Sequence, residues 1–261
     1  MKQSPFRTES WAVSHEGRVR EHNEDRFLMD PRLGLWAVAD GMGGYEAGEV
    51  ASTGIVEQLK TIGISTSASD QHARFVDRLT QANHEIQDYA QRQGSMLGST
   101  VAALLIYEGE YRCVWVGDSR IYLVRGGKLT QLSRDHSEVQ ELVEQGILSR
   151  EEARTWRGRN VITRAVGVYP DMEPEVAYGE IEIGDTFLLC SDGLTAHASD
   201  EDILEAVTGR GAKAACETLL ELVLERGATD NVTIVITQVR SAEGTVQLDH
   251  DDVAAEQRAR A

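Results

Sequence analysis

The sequence predicts a mixed α/β fold: a central antiparallel β-sandwich flanked by helix pairs on both outer faces, a four-layer αββα arrangement. Three observations predict it. Apolar stretches of strand length recur along the chain, among them Leu35 to Ala39, Tyr111 to Val116 and Thr186 to Cys190. Between Thr100 and Leu132 several such stretches follow one another through short turns such as Glu108-Gly109 and Gly126-Gly127, and short turns make neighbouring strands antiparallel. Helical spacing comes in pairs of segments between strand groups rather than after every strand, which argues against regular βαβ repeats.

Taken in order, Trp11 to Ser14, Arg26 to Met29 and Leu33 to Ala39 read as strands, the last a nearly continuous apolar run that stops at Asp40. Tyr45 to Lys60 and Asp70 to Arg92 follow helical spacing, the second through Phe75, Leu79, Ala82, Ile86 and Tyr89. Thr100 to Ile106, Tyr111 to Val116, Arg120 to Val124 and Lys128 to Leu132 are the next strands. After Asp135 the pattern turns helical again, and Ser149-Arg150-Glu151-Glu152 matches a capping box that opens a short helix. Val176 to Ile183 and Asp185 to Cys190 read as a further hairpin. Ser199 to Val207 and Ala212 to Arg226 read as two helices, and Val232 to Val239 as the final strand.

A chain of 261 residues, 41% hydrophobic and 26% charged, can bury a full core, and with only 4 prolines and no linker or repeat it reads as one domain over residues 1–240. From about Ser241 to Ala261 the apolar pattern fades, and a mobile tail is expected there. Met1 to Ser10 has no apolar core of the signal-peptide kind, and the longest apolar stretch, Val101 to Ile106, is too short to span a bilayer. A cytoplasmic location is therefore the expectation. Cys113, Cys190 and Cys216 sit in apolar contexts without metal-type spacing and read as core residues. With 43 Asp plus Glu against 26 Lys plus Arg, the net charge of −17 repels nucleic acid and anionic membranes, so neither is an expected partner.

The chemistry is carried by four acidic signatures, Asp40-Gly41, Gly117-Asp118, Asp192-Gly193 and Asp230-Asn231, each placed where an apolar stretch or a turn gives way to its neighbour. Carboxylates at strand ends can converge in space, and converging carboxylates need cations between them. Gly41-Met42-Gly43-Gly44-Tyr45-Glu46-Ala47-Gly48 lacks the glycine that a dinucleotide fingerprint needs where Glu46 stands, and no GKS, GKT, G-x-S-x-G or H-E-x-x-H occurs. The all-oxygen donor set favours Mg²⁺ or Mn²⁺ over zinc or copper. Two such ions can lower the pKa of a bridging water and hold it in line with a phosphorus. Arg20, in Arg20-Glu21-His22-Asn23-Glu24-Asp25, is the candidate cation for the phosphoryl oxygens.

Arg20 with Asn23-Glu24-Asp25, Asp40-Gly41-Met42-Gly43-Gly44, Gly98-Ser99-Thr100, Gly117-Asp118-Ser119-Arg120, Asp135-His136-Ser137, Ser191-Asp192-Gly193-Leu194 and Asp230-Asn231-Val232-Thr233 occur in this order. Together they resemble the metal-dependent protein phosphatases of the protein phosphatase 2C type, in their compact bacterial form, over roughly Thr8 to Val239. The resemblance implies a β-sandwich with helices on both outer faces, and hydrolysis of phosphoserine and phosphothreonine by direct attack of a metal-bridging hydroxide. It implies that Asp40 bridges two Mn²⁺ or Mg²⁺ ions, that the Gly41 carbonyl joins it on one, and that Asp192 and Asp230 complete the other. Asp118 with Asp192 would hold a third, weaker ion, Glu24 and Asp25 would bind metal waters, and Arg20 would bind phosphate. Expected partners are phosphorylated proteins, a bacterial serine/threonine kinase and its targets among them, in signalling or secretion control. The alternative is a catalytically silent phosphoprotein-binding module of the same fold.

Residues 137–166 resemble the family's flap beside the active site. Its Arg150, Arg154, Arg157, Arg159 and Arg164 either attract an acidic segment or simply form an exposed charged flap. Met42 stands where animal members carry a histidine proposed as general acid; a metal-bound water is the first substitute, His22 or His136 the next. Each feature also has a plainer reading. A lone Asp-Gly is usually a turn, Asp118 could cap a turn or pair with Arg120, and Arg20 could pair with Glu24. Gly43 and Gly44 serve backbone geometry, and Ser99, Thr100, Ser119 and Ser137 serve hydrogen bonding around the site.

Overall fold

The structure is a computed structural model that describes residues 5–43, 47–153, 155–158 and 160–242. Two antiparallel sheets stack face to face. The first has the order β1-β11-β10-β7-β8, built from β1 (Phe6–His15), β7 (Arg120–Arg125), β8 (Lys128–Gln131), β10 (Thr186–Cys190) and β11 (Val232–Ser241). The second runs β2-β3-β5-β6-β9, from β2 (Asp25–Asp30), β3 (Leu35–Gly43), β5 (Val101–Tyr107), β6 (Glu110–Val116) and β9 (Glu175–Glu180), with β4 (Leu97–Ser99) on the end of β3.

Alternation along the strands sorts side chains into three apolar layers. Trp36, Val38, Leu104, Ile121, Phe187, Leu189 and Val235 fill the space between the sheets. Their neighbours Leu35, Ala37, Val101, Ala103 and Leu105 face outward, where α1 (Ala47–Lys60) and α2 (Ala68–Gln93) cover them with Ile55, Leu59, Phe75, Leu79 and Ile86. On the other outer face Tyr122, Leu188, Cys190, Ile234 and Ile236 pack under Ile203 of α6 (Asp200–Val207) and Cys216, Leu219 and Val223 of α7 (Ala212–Glu225). The four-layer αββα expectation holds. Cys113, Cys190 and Cys216 are buried and free; burial pushes the Cys190 and Cys216 thiols up to about 12, so none serves as a thiolate.

Several elements differ from the sequence expectation. The anticipated hairpin of Val176 to Ile183 with Asp185 to Cys190 does not form: β9 pairs with β6 in one sheet, and β10 with β7 and β11 in the other. The turn between them, closed by the Asp185 amide on the Glu182 carbonyl at 3.0 Å, carries the chain across the sandwich. The short link from β6 to β7 is a second such crossing and not a hairpin. Strand β1 starts at Phe6, because Ser10 and Ser14 bond Thr237 and Thr233 of β11 and so give a paired strand without an apolar signature. The start of the first helix at Tyr45, and the tail beyond Ala242, lie outside the described residues. Strand β11 itself continues to Ser241, two residues past the expected end at Val239.

The register places every acidic signature at one end of the sandwich. Cys190, the end of β10, is paired with Arg120 of β7 and with Ile234 of β11. Asp118, Asp192 and Asp230 therefore share an edge. Val101 pairs with Val116, and the Thr100 amide donates to the Asp40 carbonyl at 2.9 Å, which brings Asp40 to that same end from the opposing sheet.

Candidate metal centre

Asp40 and Asp25 are direct cross-strand partners on β3 and β2, an arrangement that like charges disfavour. Asp25 is 1% exposed; its Oδ2 accepts from Ser191 Oγ at 2.7 Å, while its Oδ1 is buried without a hydrogen-bond partner. Burial, with Asp192 and Asp230 nearby, pushes the Asp25 carboxyl up to about 7 despite the Ser191 and Thr233 hydrogen bonds. Burial pushes Asp40 well above the carboxylate range too, reinforced by Asp25, Asp192, Asp118 and Asp230. Asp118 rises to about 8, through burial and then the charges of Asp192 and Asp135. Asp25, Asp40 and Asp118 are thus raised by burial and by the charges of neighbouring acids. Such a set stays neutral, or takes up cations.

Glycines bring these acids together by close backbone approach. A Cβ on Gly41 would lie 2.1 Å from the Gly48 carbonyl oxygen, and one on Gly193 would lie 1.9 Å from that of Asn231. No side chain fits at either position without moving backbone. The Gly after Asp40 and after Asp192 thus seats its acid against a neighbouring element. Asp192 opens α5 (Asp192–Thr195), a helix too short to be read from the sequence.

Arg20 reaches this cluster across 210 positions of sequence: its Nη2 donates to Asp230 Oδ2 at 2.9 Å. The plainer pairing with Glu24 is not the one formed. Glu24 instead accepts the Gly48 amide on Oε1 at 3.1 Å, and burial raises its carboxyl. Asn231, to which the sequence assigned no role of its own, ties the pieces. Its Nδ2 donates to the carbonyls of Glu16 and His22, and its Oδ1 accepts the Glu24 amide, each at 2.9 Å. The available signal was its place beside Asp230, in a side chain that both donates and accepts.

Asp118 does not pair with Arg120 either. Arg120 grips Asp135 through Nε at 3.0 Å and Nη2 at 2.6 Å, and Tyr122 through Nη1, leaving Asp118 facing the acids. Thr100 Oγ1 accepts the Asp40 amide at 3.1 Å and bonds Ser119 Oγ, and Ser137 caps α3 (Glu138–Glu144), the structural roles expected of these hydroxyls. His136 Nδ1 accepts the Gly117 amide at 3.1 Å, its Nε2 lies 3.2 Å from Glu175, and the ring is 5% exposed. It holds the turn that carries Asp118 and has no open path to a substrate oxygen. His22 is exposed.

The donor set fits hard divalent cations: the converging side chains are carboxylates, one buried carboxylate oxygen is orphaned, and Arg20 at Asp230 offsets part of the repulsion. The cluster is nonetheless loose. Among the described residues no three His, Cys, Asp or Glu side chains are arranged to hold an ion by themselves, and Arg20 engages the Asp230 carboxylate.

Comparison with known proteins points the same way. The family model "Protein phosphatase 2C" matches residues 12–232. The serine/threonine protein phosphatase PstP of Mycobacterium tuberculosis is 38% identical over 230 residues, 87% of this chain and 44% of PstP, so the chain spans less than half the length of that relative. The solved structure of PppA, a key regulatory component of T6SS in Pseudomonas aeruginosa, superposes with a TM-score of 0.83 at 38% identity, over 89% of this chain and 98% of PppA. The catalytic domain of PstP in complex with 2 manganese ions gives a TM-score of 0.83 at 36% identity, over 90% and 100% of the two chains. No helix among the described residues is long and apolar enough to cross a membrane.

Proposed function

This chain belongs to the protein phosphatase 2C family, and from that premise we propose that it is a metal-dependent protein serine/threonine phosphatase. The observation that carries the reading is the set of five mutually repelling carboxylates at one end of the sandwich, with a guanidinium at its edge. Asp40 would be shared between two Mn²⁺ or Mg²⁺ ions, with the Gly41 carbonyl on one, and Asp192 and Asp230 on the other. Asp118 with Asp192 would hold a third, and Glu24 and Asp25 would receive water. When bound, the ions supply Lewis acidity toward the phosphoryl oxygens and lower the pKa of water at the site.

The chain's own groups do the rest. Arg20 is about half exposed, and only its Nη2 is taken by Asp230, so its other N–H groups can donate to a phosphoryl oxygen. The buried, unpartnered Asp25 Oδ1 can orient a water or accept its proton. His136, buried and locked by the Gly117 amide, is poorly placed to protonate the leaving hydroxyl, a role that water at the cluster would take. The catalytically silent alternative gains no support, because no acid of the set is missing. Substrates would be phosphorylated serine and threonine in proteins, and a serine/threonine kinase and its targets are the partners to look for.

The test is steady-state hydrolysis of a phosphothreonine peptide with Mn²⁺. Arg20→Ala is expected to lower kcat/KM by about 10- to 100-fold, the size of a lost charge-assisted pair, with Arg20→Lys recovering part of it. Equal kcat/KM for Arg20→Ala and the natural chain would remove Arg20 from phosphate binding.

A further inference from the structure

A cleft of about 840 Å³ opens beside Asp118 and Asp192 and runs away from the cluster. Leu129 and Thr130 of β8 line it, with Val139 and Val143 of α3 on the flap side and the Thr195 to Asp200 turn opposite. Resting on the phosphatase reading above, we propose that this cleft binds the substrate segment flanking the phosphoresidue, and that it selects a flank carrying basic and apolar side chains over an acidic one.

Position comes first. Arg20, the phosphate grip, approaches from the Asp230 side, whereas the cleft meets the cluster at Asp118 and Asp192. A phosphoresidue seated at the cluster can therefore send its neighbouring residues along the cleft without crossing Arg20.

Charge decides the class of flank. The cleft contains three arginines, and each is already committed: Arg120 to Asp135 with three hydrogen bonds, Arg226 to Asp202 through Nη1 at 2.6 Å and Nη2 at 3.0 Å, and Arg134 to Glu144. A guanidinium already paired with a carboxylate offers less to a second anion. Asp200, exposed in the wall, has no ion-pair partner among the described residues. Of the flap arginines, Arg157 is exposed, Arg164 bonds Glu175, and neither lines the cleft; the side chains of Arg150, Arg154 and Arg159 lie outside the described residues. Leu129, Val139 and Val143 supply an apolar strip against which an aliphatic or Lys/Arg stem can lie.

The experiment compares kcat/KM at low ionic strength, with Mn²⁺, for phosphothreonine peptides that differ only in lysine or glutamate at the flanking positions. Two variants outside the catalytic cluster are added, Asp200→Lys and Thr130→Asp. The natural chain is expected to favour the lysine flank by about tenfold; Asp200→Lys cuts that ratio at least threefold, and Thr130→Asp raises it, on the scale of single exposed charge pairs. All three proteins should hydrolyse p-nitrophenyl phosphate, which has no flank, at the same rate. A glutamate preference, or a ratio that moves in neither variant, overturns the proposal. Failure of the natural chain on p-nitrophenyl phosphate overturns instead the phosphatase reading on which the proposal rests.

Discussion

Asp40→Asn and Asp192→Asn are each expected to lower kcat on a phosphothreonine peptide by about 10³-fold, the equivalent of roughly 4 kcal/mol of lost transition-state stabilisation, while raising the melting temperature of the metal-free protein. Both effects have one cause. Asparagine keeps the size of the side chain and removes a charge from a set in which burial and the neighbouring carboxylates already penalise ionisation. The metal-free fold gains what repulsion had cost, and the cation loses a ligand. Activity loss accompanied by a lower melting temperature would instead point to a damaged fold, and full activity would remove the residue from the site. This is the stability–function opposition common at catalytic centres, visible here because the acids are clustered before any ion is considered.

The second large expectation concerns pH. Asp25 and Asp118 have folded-state values raised to about 7 and about 8, and Asp40 is raised as well. A raised carboxyl stabilises the fold fully below its unfolded value near 3.9 and loses that contribution as pH climbs through the folded value. The metal-free protein should therefore melt progressively lower from about pH 4 to about pH 8. Divalent ions bind the deprotonated acids, so saturating Mn²⁺ should raise the melting temperature more at pH 8 than at pH 5.5. Thermal unfolding with and without Mn²⁺ at both values reads this out. A metal-free melting temperature that is level with pH, or an equal Mn²⁺ effect at both, contradicts the electrostatic account of the cluster.

Much of this was legible in the sequence because two physical rules leave marks there. A strand buried on both faces must be apolar throughout, so β3 and β10 stand out, and a charged residue can enter only where the run ends, at Asp40 and just beyond Cys190 in Asp192. The glycines after those aspartates allow a close backbone approach, seen at Gly41 and Gly193, that the sequence did not disclose. Sheet crossings left no mark. A tight turn after β6 or before β10 looks the same whether the next strand pairs with its predecessor or leaves for the other sheet, and the expected hairpin of β9 with β10 failed for that reason. The first half of β1, Phe6 to Ser10, hid because the strand is held partly by Ser–Thr bonds to β11 rather than by apolar alternation. The Arg20–Asp230 pair and the tie made by Asn231 join segments about 210 residues apart, and no local pattern encodes a contact of that span.

The central claim, that the carboxylate cluster does chemistry by holding divalent cations, is tested most directly by one assay. Hydrolysis of a phosphothreonine peptide by the natural chain is followed after removal of metal with excess chelator, and then during a titration with Mn²⁺. The account expects no turnover above background in chelator and full recovery as Mn²⁺ is added. Turnover that persists undiminished in excess chelator would contradict it.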